Sequence, residues 1–342
     1  MRSSLRSLVA PLAVAMALSL SAPAIAQQQQ QQPSSVNPTA SSVQERQLLE
    51  ALRAGTPGTG TTLHGRITIP DTNASNLIQP QGQAWRSVHQ GLMHWIAAIA
   101  ILGMLAVLVL FYLVRGKIRI LHGISGIRVL RFSAFERLVH WMVASCFIIL
   151  GLSGLNVTLG KFLLPQLFGE GVFATFSQWA KYAHNYLAWP FMLGLAFMFL
   201  MWVAHNIPGR IDIDWIRRGG GIIGSDHPPA RKFNAGQKGI FWAVIIGGGT
   251  LSLSGFYLLF PYYAGGVLGG QFWNIVHGVA GVLLIAVIFA HIYIGTIGME
   301  GASEAMTTGE VDLNWAKEHH SLWVEEERVK ASIHPQAPQP AE

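Results

Sequence analysis

Residues 272–298 read FWNIVHGVAGVLLIAVIFAHIYIGTIG, without a single Asp, Glu, Lys or Arg. At about 1.5 Å of helical rise per residue, this stretch exceeds the roughly 30 Å hydrocarbon core of a bilayer and predicts a transmembrane helix. Two ionisable residues interrupt it, His277 and His291. They stand 14 residues apart, roughly 21 Å along a helix axis, and at about 100° per residue they return close to one face. Ionisable groups inside a span are costly and usually functional. The spacing therefore suits two metal centres stacked through one membrane, each taking a second ligand from another helix.

Outward from this helix, four further uncharged stretches of spanning length occur at 92–114, 138–159, 182–205 and 240–263. The chain of 342 residues is 51% hydrophobic and 12% charged, about half the charge of a soluble domain. Five spans put the chain ends on opposite sides. Arg115, Lys117, Arg119, Arg128, Arg131 and Arg137 lie between the first and second spans, and Arg210, Arg217, Arg218, Arg231, Lys232 and Lys238 between the third and fourth. Of the two opposing connections, one carries only Lys161 and Lys181 and the other no basic residue. Basic loops are retained in the cytoplasm. This places the mature N-terminus in the periplasm and the C-terminus in the cytoplasm of a bacterial inner membrane. It also explains the net charge of +6 without a nucleic-acid partner; the surroundings are membrane lipid.

Arg2 and Arg6, the apolar run from Leu8 to Leu20, and Ala24-Ile25-Ala26 have the form of a secretory signal peptide over residues 1–26, cut before Gln27. Residues 27–88 are expected to be a polar, mostly flexible periplasmic extension with a short helix around Val43 to Leu52. Residues 89–115 form an extra transmembrane helix, 132–300 a four-helix core, and 301–342 a cytoplasmic tail. The fold class is thus an all-α integral membrane protein.

Cys146 is the only cysteine, which excludes a disulfide framework, a CxxCH haem attachment and an iron–sulfur cluster held by this chain alone. Any metal must rely on histidine. Zinc or copper would call for convergent soft or carboxylate ligands that these spans do not offer, so haem iron, with axial histidines from two helices, is the economical centre. Matching depth pairs His184 with His277 on the periplasmic side and His140 with His291 on the cytoplasmic side, with His205 as a rival for the inner position. His89, His94, His122 and His205 are otherwise read as interfacial hydrogen-bonding residues. Gly151, Gly154, Gly194, Gly247, Gly248, Gly249, Gly255, Gly278 and Gly281 would leave room for a flat macrocycle, or serve ordinary small-residue packing.

Several motifs are more specific: Glu136-Arg137-Leu138-Val139-His140-Trp141, His205-Asn206-Ile207-Pro208, the run from Lys232 to Lys238, His277 to Gly281, His291-Ile292-Tyr293 and Trp315-Ala316-Lys317-Glu318-His319-His320. On these, from about Phe132 to Trp323, the chain resembles the gamma subunit, a cytochrome b, of membrane-bound respiratory formate dehydrogenase. The resemblance implies a four-helix core with two haem b groups on His140, His184, His277 and His291. It also implies a quinone pocket, for menaquinone or ubiquinone, falling on Asn234, Gly236 and Gln237. From the residues alone, Asn234 reads equally as a helix N-cap. The implied partners are an iron–sulfur beta subunit and a molybdenum or tungsten catalytic alpha subunit, with electrons passing from periplasmic formate through both haems to quinone. This chain carries no catalytic constellation for formate. Two other readings are a cytochrome b of another quinone-linked complex, such as a nickel–iron hydrogenase or thiosulfate reductase, and a membrane anchor without redox function. The signal peptide, extension and first span depart from the compact family pattern.

Overall fold

The computed structural model describes residues 80–221 and 226–333. The described residues belong to one compact unit that begins at Ile78; the expected signal peptide and nearly all of the polar extension lie outside the described residues.

Among the described residues, five helices are long and apolar enough to cross a membrane. They are α1 (Ala84–Arg115), α2 (Ala134–Phe168), α3 (Glu170–His205), then after the short α4 (Arg210–Arg217), α5 (Ala235–Leu259) and α6 (Gly266–Gly298). Four of them contain a stretch expected from the sequence, α5 ends four residues short of its own, and all five are longer than expected. The gain at the start of the helix is largest in α3, which begins at Glu170 immediately after Gly169 at φ 82°, a left-handed turn that favours glycine. Local chemistry sets the starts. Ser133 and Glu136 form a reciprocal capping box at the head of α2, and Asn234 and Gln237 do the same for α5.

α2 packs on α3, α3 on α5, α5 on α6, and α1 on α6. α6 comes close to α2 at few positions and to α3 at fewer still. Large apolar side chains such as Ile99, Leu102, Leu113, Leu152, Leu200 and Ile246 are exposed along the helices. In water such a surface would drive aggregation, whereas in lipid it is the required outer face. The protein is a multi-pass, all-α membrane protein.

The C-terminal segment is folded through residue 333. β1 (Arg128–Leu130) pairs antiparallel with β2 (Glu310–Asp312), Val129 opposite Val311. Three short helices, α7 (Glu304–Thr307), α8 (Leu313–His319) and α9 (Ser321–Ile333), complete a cap over the basic loops. Its core joins Phe132, Trp202 and Phe233 to Val311, Trp315 and Trp323. Two carboxylates tie the cap to the loop after α1. Asp312 accepts from the Ser125 amide and hydroxyl and the Gly126 amide, and Glu318 accepts from the amides of Leu121 and His122. Burial works against the charge of Asp312, yet the Ser125, Asn314 and Gly126 donors hold its carboxyl below the ordinary value.

Candidate cofactor site

His140 lies one and a half turns into α2, His184 midway along α3, and His277 and His291 on α6. The rings of His184 and His277 have their centres 6.0 Å apart, and those of His140 and His291 6.3 Å apart. These are the two pairs expected from depth. The third candidate, His205, sits exposed in a 3-10 turn ending α3.

The separations carry chemical meaning. An imidazole nitrogen binds its metal at about 2 Å, with the ring centre about 1 Å beyond. Two rings on opposite sides of one ion therefore have centres about 6 Å apart. Each pair supplies only two ligands, and no group of three or more His, Cys, Asp or Glu able to hold a metal occurs among the described residues. A bare ion would be under-coordinated; an iron that brings its own four equatorial nitrogens is not. The sparse approach of α6 to α2 and α3 leaves the ligand rings to bridge those helices.

The surroundings fit such a group. A Cβ at Gly255 would come 3.2 Å from Cε1 of His277, and one at Gly154 3.5 Å from Cε1 of His184. These two glycines keep side chains off the ligand rings. Gly278, beside His277, receives the Met93 side chain of α1, whose sulfur would sit 2.8 Å from an added Cβ. Gly194 lets α3 approach Met142 and Val143 of α2. The glycines thus divide between making room at the rings and close helix packing.

Two serines with no counterpart among the residues expected from the sequence touch two of these rings. Ser153 Oγ lies 2.8 Å from His184 Nδ1, and Ser254 Oγ lies 2.9 Å from His277 Nδ1. Their only sequence signal is a hydroxyl in an uncharged span. His94 contacts the Gln90 carbonyl through Nδ1 and packs edge-on against Phe162. His122 is bound to Glu318.

Asn234, Gly236 and Gln237 form one turn at the head of α5. The Gln237 amide donates to Asn234 Oδ1 at 2.9 Å, the Asn234 amide donates to Gln237 Oε1 at 3.2 Å, and Gly236 lies under the Trp215 ring. Arg131 Nη2 donates to the Lys232 carbonyl at 2.6 Å and reaches Gln237 Oε1 at 3.4 Å. The guanidinium lies about 5 Å from the centres of the Phe132, Trp315 and Trp323 rings. Burial brings it down to about 9. The capping role of Asn234 is therefore realised, and this turn sits at the same end of the bundle as His140 and His291.

Facing histidines between the apolar helices of a multi-pass membrane protein, with no cysteine motif for covalent attachment, define a membrane cytochrome of the b type. The family model described as prokaryotic cytochrome b561 matches residues 131–309, and the chain belongs to that family. The chain is similar to two Escherichia coli K12 proteins. One is the cytochrome b556(Fdn) subunit of nitrate-inducible formate dehydrogenase, 31% identical over 205 residues, covering 58% of this chain and 91% of the relative. The other is the cytochrome b556(fdo) subunit of formate dehydrogenase, 33% identical over 204 residues, covering 58% and 93%. The formate dehydrogenase cytochrome b556 subunit of Haemophilus influenzae is 27% identical over 215 residues, covering 58% and 84%. The family match begins at Arg131, so α1 lies outside it.

Proposed function

We propose that His184 with His277, and His140 with His291, each hold one haem b, and that this chain carries electrons from a formate-oxidising partner to a membrane quinone. The observation that carries this reading is the pair of ring separations, 6.0 and 6.3 Å, at two levels of one helix. When bound, each haem supplies a one-electron iron couple. The chain's own part would be to hold each haem between two imidazole rings and to fix the spacing through α6. Its apolar walls keep water from the pairs.

The basic loops flanking the His140 and His291 level support a cytoplasmic position for that end, and the export signal expected over residues 1–26 agrees with this orientation. The outer pair then faces a periplasmic donor. One cysteine cannot bind a cluster, so the iron–sulfur centre and the molybdenum or tungsten formate site belong to partner subunits, as the relatives' naming as subunits supports. At the inner end, Asn234, Gly236 and Gln237 present a polar turn at the level where a quinone headgroup could take protons from the cytoplasm. Taking electrons from outside and protons from inside separates charge across the membrane, contributing to the proton-motive force, with about 2.3 kcal/mol involved per charge per 100 mV.

The test is a dithionite-reduced minus oxidised spectrum with haem quantified per chain. Two haems b are expected in the wild type and one in His277→Ala or His140→Ala. An absent b-type alpha band, or unchanged haem content in both variants, overturns the reading. Co-purification with a formate-active subunit tests the donor, and weakened binding of a quinone analogue in Gln237→Leu tests the acceptor site.

A further inference from the structure

The two histidine pairs are built differently behind their rings. Ser153 Oγ lies 2.7 Å from the Ile149 carbonyl, and Ser254 Oγ 2.6 Å from the Thr250 carbonyl. A hydroxyl has one proton, and each serine directs it to the carbonyl four residues earlier. Towards His184 and His277, at 2.8 and 2.9 Å, each Oγ therefore accepts. The ring proton is on Nδ1 in both histidines, and Nε2 is the bare nitrogen. Each anchor comes from the helix packed beside the ligand helix, Ser153 on α2 for α3 and Ser254 on α5 for α6, and both serines are buried. At the other level, His140 Nδ1 is buried and has no hydrogen-bond partner among the described residues.

We propose that Ser153 and Ser254 are positioning residues that make His184 and His277 the more strongly donating ligands, so that the outer haem has a lower potential than the inner one. This rests on the di-haem reading. An acceptor on Nδ1–H pushes electron density towards Nε2, which favours the oxidised state of the bound iron. With haems held at both pairs, electron transfer from the outer couple to the inner one would be downhill. The Nδ1 proton stays in place throughout. The gradient points towards the end that carries Asn234, Gly236 and Gln237.

The experiment is a spectroelectrochemical titration of the purified holo-complex, with the two haem components assigned by His277→Ala and His140→Ala. In the wild type, the component lost in His277→Ala has the lower midpoint. Ser153→Ala and Ser254→Ala each raise that midpoint, leave the other component in place and keep two haems per chain. Ser153→Thr, which retains Oγ, restores the wild-type midpoint, and Ser254→Cys, a weaker acceptor of similar size, gives an intermediate rise. The proposal is overturned if the alanine variants keep both haems with unmoved or lowered midpoints, or if the lower component is the one lost in His140→Ala. Failure of the di-haem reading looks different, since His277→Ala would then retain its full haem content.

Discussion

Acid should loosen the C-terminal cap well before it denatures the helices, and the size of the effect follows from His319 and His320. Burial first, and the nearby His227 second, push His319 down to about 4, and burial pushes the fully enclosed His320 well below its ordinary value. In an opened cap both rings regain a value near 6.5. Between 6.5 and 4 the open form binds protons that the closed form refuses, so stability is complete at neutral pH and falls as pH falls. For His319 alone, going from pH 7 to pH 5 costs about 2 kcal/mol, or roughly a 20-fold rise in the open population. His320 acts in the same direction. Glu318 is nearly silent over this range: burial raises its carboxyl, but the His122 and Leu121 donors bring it below the ordinary value. Hydrogen exchange of peptides covering residues 311–323, corrected for intrinsic rates, should show protection at pH 5 reduced by at least that factor. His319→Gln should recover part of it. Equal corrected protection at both pH values, or loosening on the alkaline side, would refute the reasoning.

Three further outcomes are expected. A Cβ at residue 194 would sit 2.6 Å from Val143 Cγ2 and 2.8 Å from Met142 Cε; Gly194→Ala should therefore destabilise the α2–α3 contact by about 1–3 kcal/mol, seen as a lower melting temperature in detergent. Gly255→Val should abolish the spectral component assigned to His184 and His277 and spare the other, because the added side chain meets the His277 ring. Lys238 Nζ pairs with Asp212 at 2.8 Å, both side chains about 10% exposed. Lys238→Met should cost about 3–5 kcal/mol by leaving a buried carboxylate alone, whereas the double variant with Asp212→Asn should be less damaged than Lys238→Met alone.

The spans and the histidine pairs were legible because both depend on local sequence: an uncharged run must match the bilayer, and residues 14 apart must share a helix face at two depths. Loop charge then matched depths, which favoured His140 and His184 as partners. What depth could not decide was His140 against His205 at one end; only their placement separates them, His140 inside α2 and His205 on an exposed turn. The early start of α3 was hidden because hydropathy registers the length in lipid, whereas a helix continues until a residue such as Gly169 ends it. Ser153 and Ser254 were hidden because a serine's neighbours on another helix, 31 and 23 residues away, depend on helix rotation that no local pattern encodes. The fold of residues 301–333 rests on pairings with residues near 120–130 and was equally invisible. Asn234 was read both as a cap and as a quinone contact; the cap is formed, and the same turn is available for the second role.

The two carboxylates of the cap have a consequence for biogenesis. Glu318 binds the amide of Leu121, which precedes it by 197 residues, and Asp312 closes on Ser125 in the same way. During synthesis the loop after α1 emerges without either acceptor, and it waits for four further helices to insert before its amides are satisfied. Cap closure is therefore the last step of assembly. Until then the end of the bundle that carries His140 and His291 stays uncovered, and anything that must reach those two rings from that side has only until the cap forms to do so.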